Sequence, residues 1–112
     1  MPKARFIHDG DAIDYTPPAG GADVASGDVV IQNDLVGIAK LDIPAGALGA
    51  LAVKGVFDVA KAAGTAINAG VSIYWHTTTQ IANTTSSGGK LMGKSIHAAA
   101  ESDTTVRVRL AQ

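Results

Sequence analysis

Apolar and polar residues alternate along most of this chain with a period of two, in short runs. The clearest run is residues 105–110, where Val106, Val108 and Leu110 point one way and Thr105, Arg107 and Arg109 the other. That is the pattern of a strand with one buried face. Residues 71–76 repeat it, with Val71, Ile73 and Trp75 on one side and Ser72, Tyr74 and His76 on the other. Ile13 and Tyr15 share a face in residues 12–16, and Val29-Val30-Ile31 opens a further run. Asn33-Asp34 predicts a hairpin turn into residues 35–41. Residues 48–53 and 56–59 read as two strands joined through Lys54-Gly55, a second hairpin signal. Residues 77–85 continue in strand-compatible residues, and residues 90–98 form another strand after the Ser86-Ser87-Gly88-Gly89 tip. Residues 3–8 alternate weakly enough to allow a strand.

Breakers separate the runs. Pro17-Pro18-Ala19-Gly20-Gly21 and Asp42-Ile43-Pro44-Ala45-Gly46 interrupt regular structure. Residues 61–70 read as a loop with room for a single helical turn, because Gly64 and Gly70 limit the alanine run between them. The whole predicts a mainly β protein: one small domain, a β-barrel or sandwich of eight to ten short strands, with at most one short helix.

Composition changes this picture in one respect. The chain has 112 residues, of which 46% are hydrophobic, but 20 are Ala and only 31 carry a large buriable side chain, Met1 aside. The core is therefore thin, and no cysteine is present to staple it. Association with copies of itself or with a larger surface is expected. Nine Asp against one Glu, with 13 Gly and nine Thr, favours turns and strands over helices.

Charge excludes more than it suggests. The formal net charge is −1, and acids and bases are interspersed. A nucleic-acid partner calls for a basic stripe, which is missing. No apolar run approaches the ~20 residues of a membrane span, and no apolar core of signal-peptide length follows the first charges. The expectations are no nucleic acid, no membrane, and synthesis in a cytoplasm.

One string demands attention as chemistry. Gly88-Gly89-Lys90-Leu91-Met92-Gly93-Lys94-Ser95 fits the phosphate-binding pattern G-x-x-x-x-G-K-[ST]. A working phosphate loop needs a buried strand before it and a helix after it. Residues 82–87 form no such strand, and Leu91 and Met92 read as strand residues. The string is therefore read as a turn followed by a strand with surface lysines. His8, His76 and His97 fall at no metal-ligand spacing on one element. Asp9-Gly10-Asp11 begins like a calcium loop but lacks the later Gly and Glu, and reads as a turn. No nucleophile elbow is present. The chain is expected to be no enzyme, with no cofactor and no metal. Tyr74 and Trp75 are neighbours on one strand, so one ring belongs to the core and the other points out. The pair is the candidate oligomer interface.

The order of several segments resembles a known family. They are the Asp9-Gly10-Asp11 turn, Pro18-Ala19-Gly20-Gly21, Val24-Ala25-Ser26-Gly27 and Leu35-Val36-Gly37-Ile38-Ala39. Gly55-Val56-Phe57-Asp58-Val59-Ala60-Lys61-Ala62-Ala63-Gly64 and Gly70-Val71-Ser72-Ile73-Tyr74-Trp75 follow. The close is Gly89-Lys90-Leu91-Met92-Gly93, Ala98-Ala99-Ala100 and Val106-Arg107-Val108-Arg109-Leu110. The family is that of small tailed-phage head proteins, once labelled predicted phage recombinases and now regarded as capsid cement, or decoration, proteins. Ala60, His76 and Lys94 depart from its usual residues.

The resemblance implies a structural virion protein. It would bind the outer surface of the phage capsid, contact the major capsid protein as a homotrimer, and lock neighbouring capsomers together. Residues 1–8 are expected to form an N-terminal arm on the single domain 1–112. Pro2, Lys3, Arg5 and Phe6 are the candidate capsid contacts, because they precede the first clear turn and end in an apolar anchor. The alternatives are another minor virion component, such as a head-fibre base or tail adaptor, and a nucleotide-binding recombination accessory.

Overall fold

The computed structural model describes residues 3–7 and 10–112. Nine strands follow in chain order: β1 (Ala12–Tyr15), β2 (Val29–Gln32), β3 (Leu35–Ala39), β4 (Gly49–Ala52), β5 (Gly55–Ala60), β6 (Ser72–His76), β7 (Ile81–Asn83), β8 (Lys90–Ser95) and β9 (Thr105–Leu110). They make two antiparallel sheets, ordered β1-β4-β3-β2 and β5-β9-β8-β6-β7. Among the described residues there is no helix. Of the two predicted architectures the chain forms the sandwich. Each sheet keeps two edge strands, so neither closes into a barrel.

The five-stranded sheet follows from the alternation. Val106, Val108 and Leu110 of β9 are buried and their neighbours are exposed. β5 pairs with β9 along its length, Val59 opposite Val106 and Phe57 opposite Val108, which puts their apolar side chains on one face. In β6, Ile73 and Trp75 are buried as the alternation predicts. The β6–β8 register shifts between Ile73 and Tyr74, which pair with Gly93 and Leu91. Met92 is the extra residue of this bulge, and it is fully buried. Gly93 beside it leaves no room for a side chain. A Cβ there would run into the carbonyl oxygen of Arg109 on β9.

The four-stranded sheet is buried differently. Val36 and Ile38 of β3 join the main core with Val29 and Ile31 of β2. The opposite face carries a second cluster of Ala39, Ile43 and Leu51, against which Ile13, Tyr15, Val24 and Val30 pack. A bridge between Val24 and Ile43 closes the segments that cover this face. Ile43 lies so near Gly49 that a Cβ there would come within 2.6 Å of it.

Two side chains stitch segments together. The Gln112 amide acts as a strand would toward Val36. Its Oε1 accepts from the Val36 N–H at 2.6 Å and its Nε2 donates to the Val36 carbonyl at 2.7 Å. β4 pairs with β3 only at Ile38 and Ala39, so Val36 lies beyond the reach of that ladder. Lys61 is only 4% exposed. Its ammonium donates to the carbonyls of Ala62, Ala100 and Asp103, at 2.9, 3.3 and 2.8 Å. Three carbonyl partners satisfy all three N–H bonds of the buried cation.

Several sequence expectations change. The Asn33-Asp34 hairpin forms, with Gln32 opposite Leu35 and Asn33 at φ 54°. Lys54-Gly55 does not make a hairpin. Gly55, at φ 120°, turns the chain out of the four-stranded sheet, and β5 pairs with β9 instead. Residues 61–70 contain no helical turn, because Ile67 is held extended by its bridge to Ala99. Residues 77–85 yield only the three residues of β7, since residues 77–80 are the turn that returns the chain to β6. β8 stops at Ser95, three residues short of the predicted strand, and β3 and β4 stop short of Leu41 and Leu48. Residues 3–7 form no strand, and His8 and Asp9 lie outside the described residues.

Candidate functional site

The phosphate-loop string is consumed by the sheet. Residues 90–95 are β8, so their backbone runs in antiparallel ladders with β6 and β9 instead of wrapping an anion. Lys94 Nζ donates to Ser72 Oγ at 3.0 Å. Ser95 is buried; its hydroxyl donates to the Asn68 carbonyl at 2.7 Å and accepts from the Val71 N–H at 3.2 Å. Lys90 Nζ reaches Asp34 Oδ1 at 2.7 Å across the two sheets. That hydrogen bond holds the Asp34 carboxyl below its ordinary range. Among the described residues no group of acids and histidines is gathered at metal-binding distance. No helix there is long and apolar enough to cross a membrane.

Tyr74 and Trp75 separate as their alternation requires. Trp75 is 5% exposed and belongs to the main core, with its Nε1 unpartnered. Its ring is thus committed to its own chain. Tyr74 is half-buried on the opposite face of β6. The arm candidates sit elsewhere. Pro2 lies outside the described residues, and Lys3, Arg5 and Phe6 are exposed.

A second feature was not found from the sequence. Ala12, Ala50 and Ala52 floor a groove of ≈ 750 Å³ along β1 and β4. Ala12 pairs with Ala52, and Ala52 with Ile38. Directly opposed residues share a face, so this floor continues the core-facing side of the four-stranded sheet. At the β1–β4 end that side is left open, with Ala12 and Ala50 exposed. Leu41 and Leu48 stand at one end of the groove, and the ion pair of Lys54 with Asp11, 3.6 Å apart, at the other. β1 is an edge strand, so the groove opens beside an unpaired ladder.

The sequence signal was weak but present. Leu41 and Leu48 flank the Asp42-Ile43-Pro44-Ala45-Gly46 break, where Ile43 takes the buried place and leaves both leucines outside. They are 78% and 72% exposed, and Phe6 and Ile7 are 78% and 68%. Among the described residues these are the four most exposed large apolar side chains, and the next, Val56, is well below them. Isolated apolar residues on a surface are ordinary, whereas a cluster marks a contact.

The chain is a two-sheet β sandwich, and among the described residues its open features are an exposed N-terminal arm and an apolar groove. The family model for phage cement protein matches residues 7–110, and the chain belongs to that family. Neither the comparison with curated proteins nor that with solved structures finds a match. Membership makes this a structural phage protein associated with the capsid of the virion.

Proposed function

We propose that the protein binds the outer surface of the capsid, contacts the major capsid protein, and cements neighbouring capsomers as a homotrimer. The family match over residues 7–110 carries this reading. The thin core and the open apolar features support it, because a cement protein gains stability from what it covers. The N-terminal arm is the shell contact in this reading. Lys3, Arg5 and Phe6 are exposed and engaged in no strand of their own chain, so the arm is free to add to a strand of the shell. Pro2 extends the same arm. Tyr74 is the member of the Tyr74–Trp75 pair available to a neighbouring copy. Catalysis has no part in this reading, and neither does a cofactor. The protein is made in the host cytoplasm and ends on the particle.

The molar ratio of this protein to the major capsid protein in purified virions tests the reading, measured by quantitative mass spectrometry. A ratio near unity supports a lattice-covering cement. A few copies per particle indicate a vertex or tail component instead, and absence from the particle overturns the reading. Particles lacking the protein should lose their genome at a lower temperature. Deleting residues 2–6 should abolish shell binding while leaving the fold intact; unchanged binding would remove the arm from the account.

A further inference from the structure

Among the described residues, the four most exposed large apolar side chains fall in two places, Phe6 and Ile7 on the arm and Leu41 and Leu48 on the groove. Neither place is covered within its own chain. The two are joined at their root, because Asp11 is both a wall of the groove and the fourth residue after Ile7. They also match in length. Five extended residues span about 16 Å, and the groove follows β4 from Leu48 to Lys54, about 20 Å. The chemistry matches as well. An alanine floor leaves depth for a large ring or a branched chain, and the free edge of β1 offers backbone groups to an extended segment. The arm supplies both an extended backbone and large side chains, yet Phe6 and Ile7 lie out of the groove of their own chain.

We propose that the groove floored by Ala12, Ala50 and Ala52 receives Phe6 and Ile7 from the arm of a second copy of this chain. The contact is head-to-tail, since the donated surface and the accepting surface differ. Repeated around a rotation axis it closes a ring in which every groove is filled and every arm is seated. The inference rests on the cement reading for its setting and narrows the arm's role. The root of the arm, Phe6 and Ile7, joins neighbouring copies, and the tip, with Lys3 and Arg5, is left for the shell.

The chain has no cysteine, so a single engineered pair can report the contact. Two differently tagged preparations, Phe6→Cys and Leu48→Cys, are mixed and gently oxidised, both free and bound to capsid shells. A disulfide between the two tagged chains is expected, at several-fold the yield obtained when Leu48→Cys is replaced by Thr105→Cys on the outer face of β9. No cross-link above that control, free or on shells, overturns the proposal. A chain carrying both Phe6→Cys and Leu48→Cys serves as the second arm. A disulfide formed only within that chain shows the arm filling its own groove and also overturns it. The Leu41→Ser/Leu48→Ser variant should keep the wild-type fold by circular dichroism and lose the self-association of the parent. Unchanged association overturns the proposal. Shell binding is scored separately by co-sedimentation. A cross-link between the Phe6→Cys and Leu48→Cys chains, together with wild-type protein that does not bind shells, refutes the cement reading alone. Groove variants that associate normally but lose shell binding refute this inference alone.

Discussion

In the five-stranded sheet every inward side chain from Val106 to Leu110 meets a partner, and the outward positions are polar or charged along β9. In the four-stranded sheet β3 is covered on both faces and β4 only at Leu51 and Ala52, and the β1–β4 end is left open at Ala12 and Ala50 beside two exposed leucines. The strands of the five-stranded sheet carry Asp58, Lys90, Lys94, Arg107 and Arg109, against Asp14 alone in the other sheet. Strand length and coverage separate them further. The longer strands of the five-stranded sheet, six residues in β5, β8 and β9, build the scaffold. Two of the four-residue strands of the other sheet, β1 and β4, hold open an edge and a groove that a scaffold would have closed.

The contrast can be broken at its tightest point first. Gly93→Ala places a methyl group against the Arg109 carbonyl, where the backbone of β9 cannot withdraw without losing its ladder. The expected loss is about 3 kcal/mol, read as a shift in the urea midpoint; a midpoint equal to wild type would show that β8 and β9 pair differently. Matched truncations come next. Ile73→Ala should cost about 3 kcal/mol, because Ile73 is fully buried in the main core. Ile13→Ala should cost about 1 kcal/mol, because Ile13 is half-buried at the edge of the second cluster. Equal losses at the two sites would erase the distinction between the sheets.

The seam between the sheets is a smaller test. Gln112→Ala removes both hydrogen bonds to Val36 and should cost about 1 kcal/mol. Amide exchange at Val36 should accelerate, while exchange within β9 stays as it was. The smallest effect is electrostatic. Arg107 Nε and Nη2 donate to the two carboxylate oxygens of Asp58, at 2.8 and 3.2 Å on the outer face of β5 and β9. This hydrogen bond holds the Asp58 carboxyl below its ordinary value of 3.8. A depressed folded value means the contribution is present above the ordinary value and is lost as pH falls through the folded one. Asp58→Asn should therefore lower the melting temperature slightly at neutral pH. The gap should close on acidification below about pH 4. A gap that widens in acid would contradict the pairing.

Much of this was legible in the residues. The alternation of Val106, Val108 and Leu110 against Thr105, Arg107 and Arg109 is a local signal, and the sheet obeys it. The same holds for the split between Trp75 and Tyr74 and for the turn at Asn33-Asp34. Where a segment's partner lies far along the chain, local pattern misleads. Lys54-Gly55 looks like a hairpin, yet a glycine at positive φ serves equally to leave a sheet, and only the competition of β9 for β5 decides. The alanines and glycines of residues 61–70 look ambivalent until Ile67 meets Ala99 and Lys61 finds its three carbonyls. The groove was hidden for a similar reason. Leu41 and Leu48 read as strand residues, and only the buried Ile43 between them shows that the core had no place for them. The phosphate-loop string is the converse case, a full local match cancelled by its setting in β8.

The division of labour between the sheets is tested most directly by hydrogen–deuterium exchange on the protein free and bound to capsid shells. The account predicts new protection in residues 3–5, the tip of the arm, with exchange in β5, β6, β8 and β9 unchanged. Protection gained across the five-stranded sheet, with none in the arm, would contradict it.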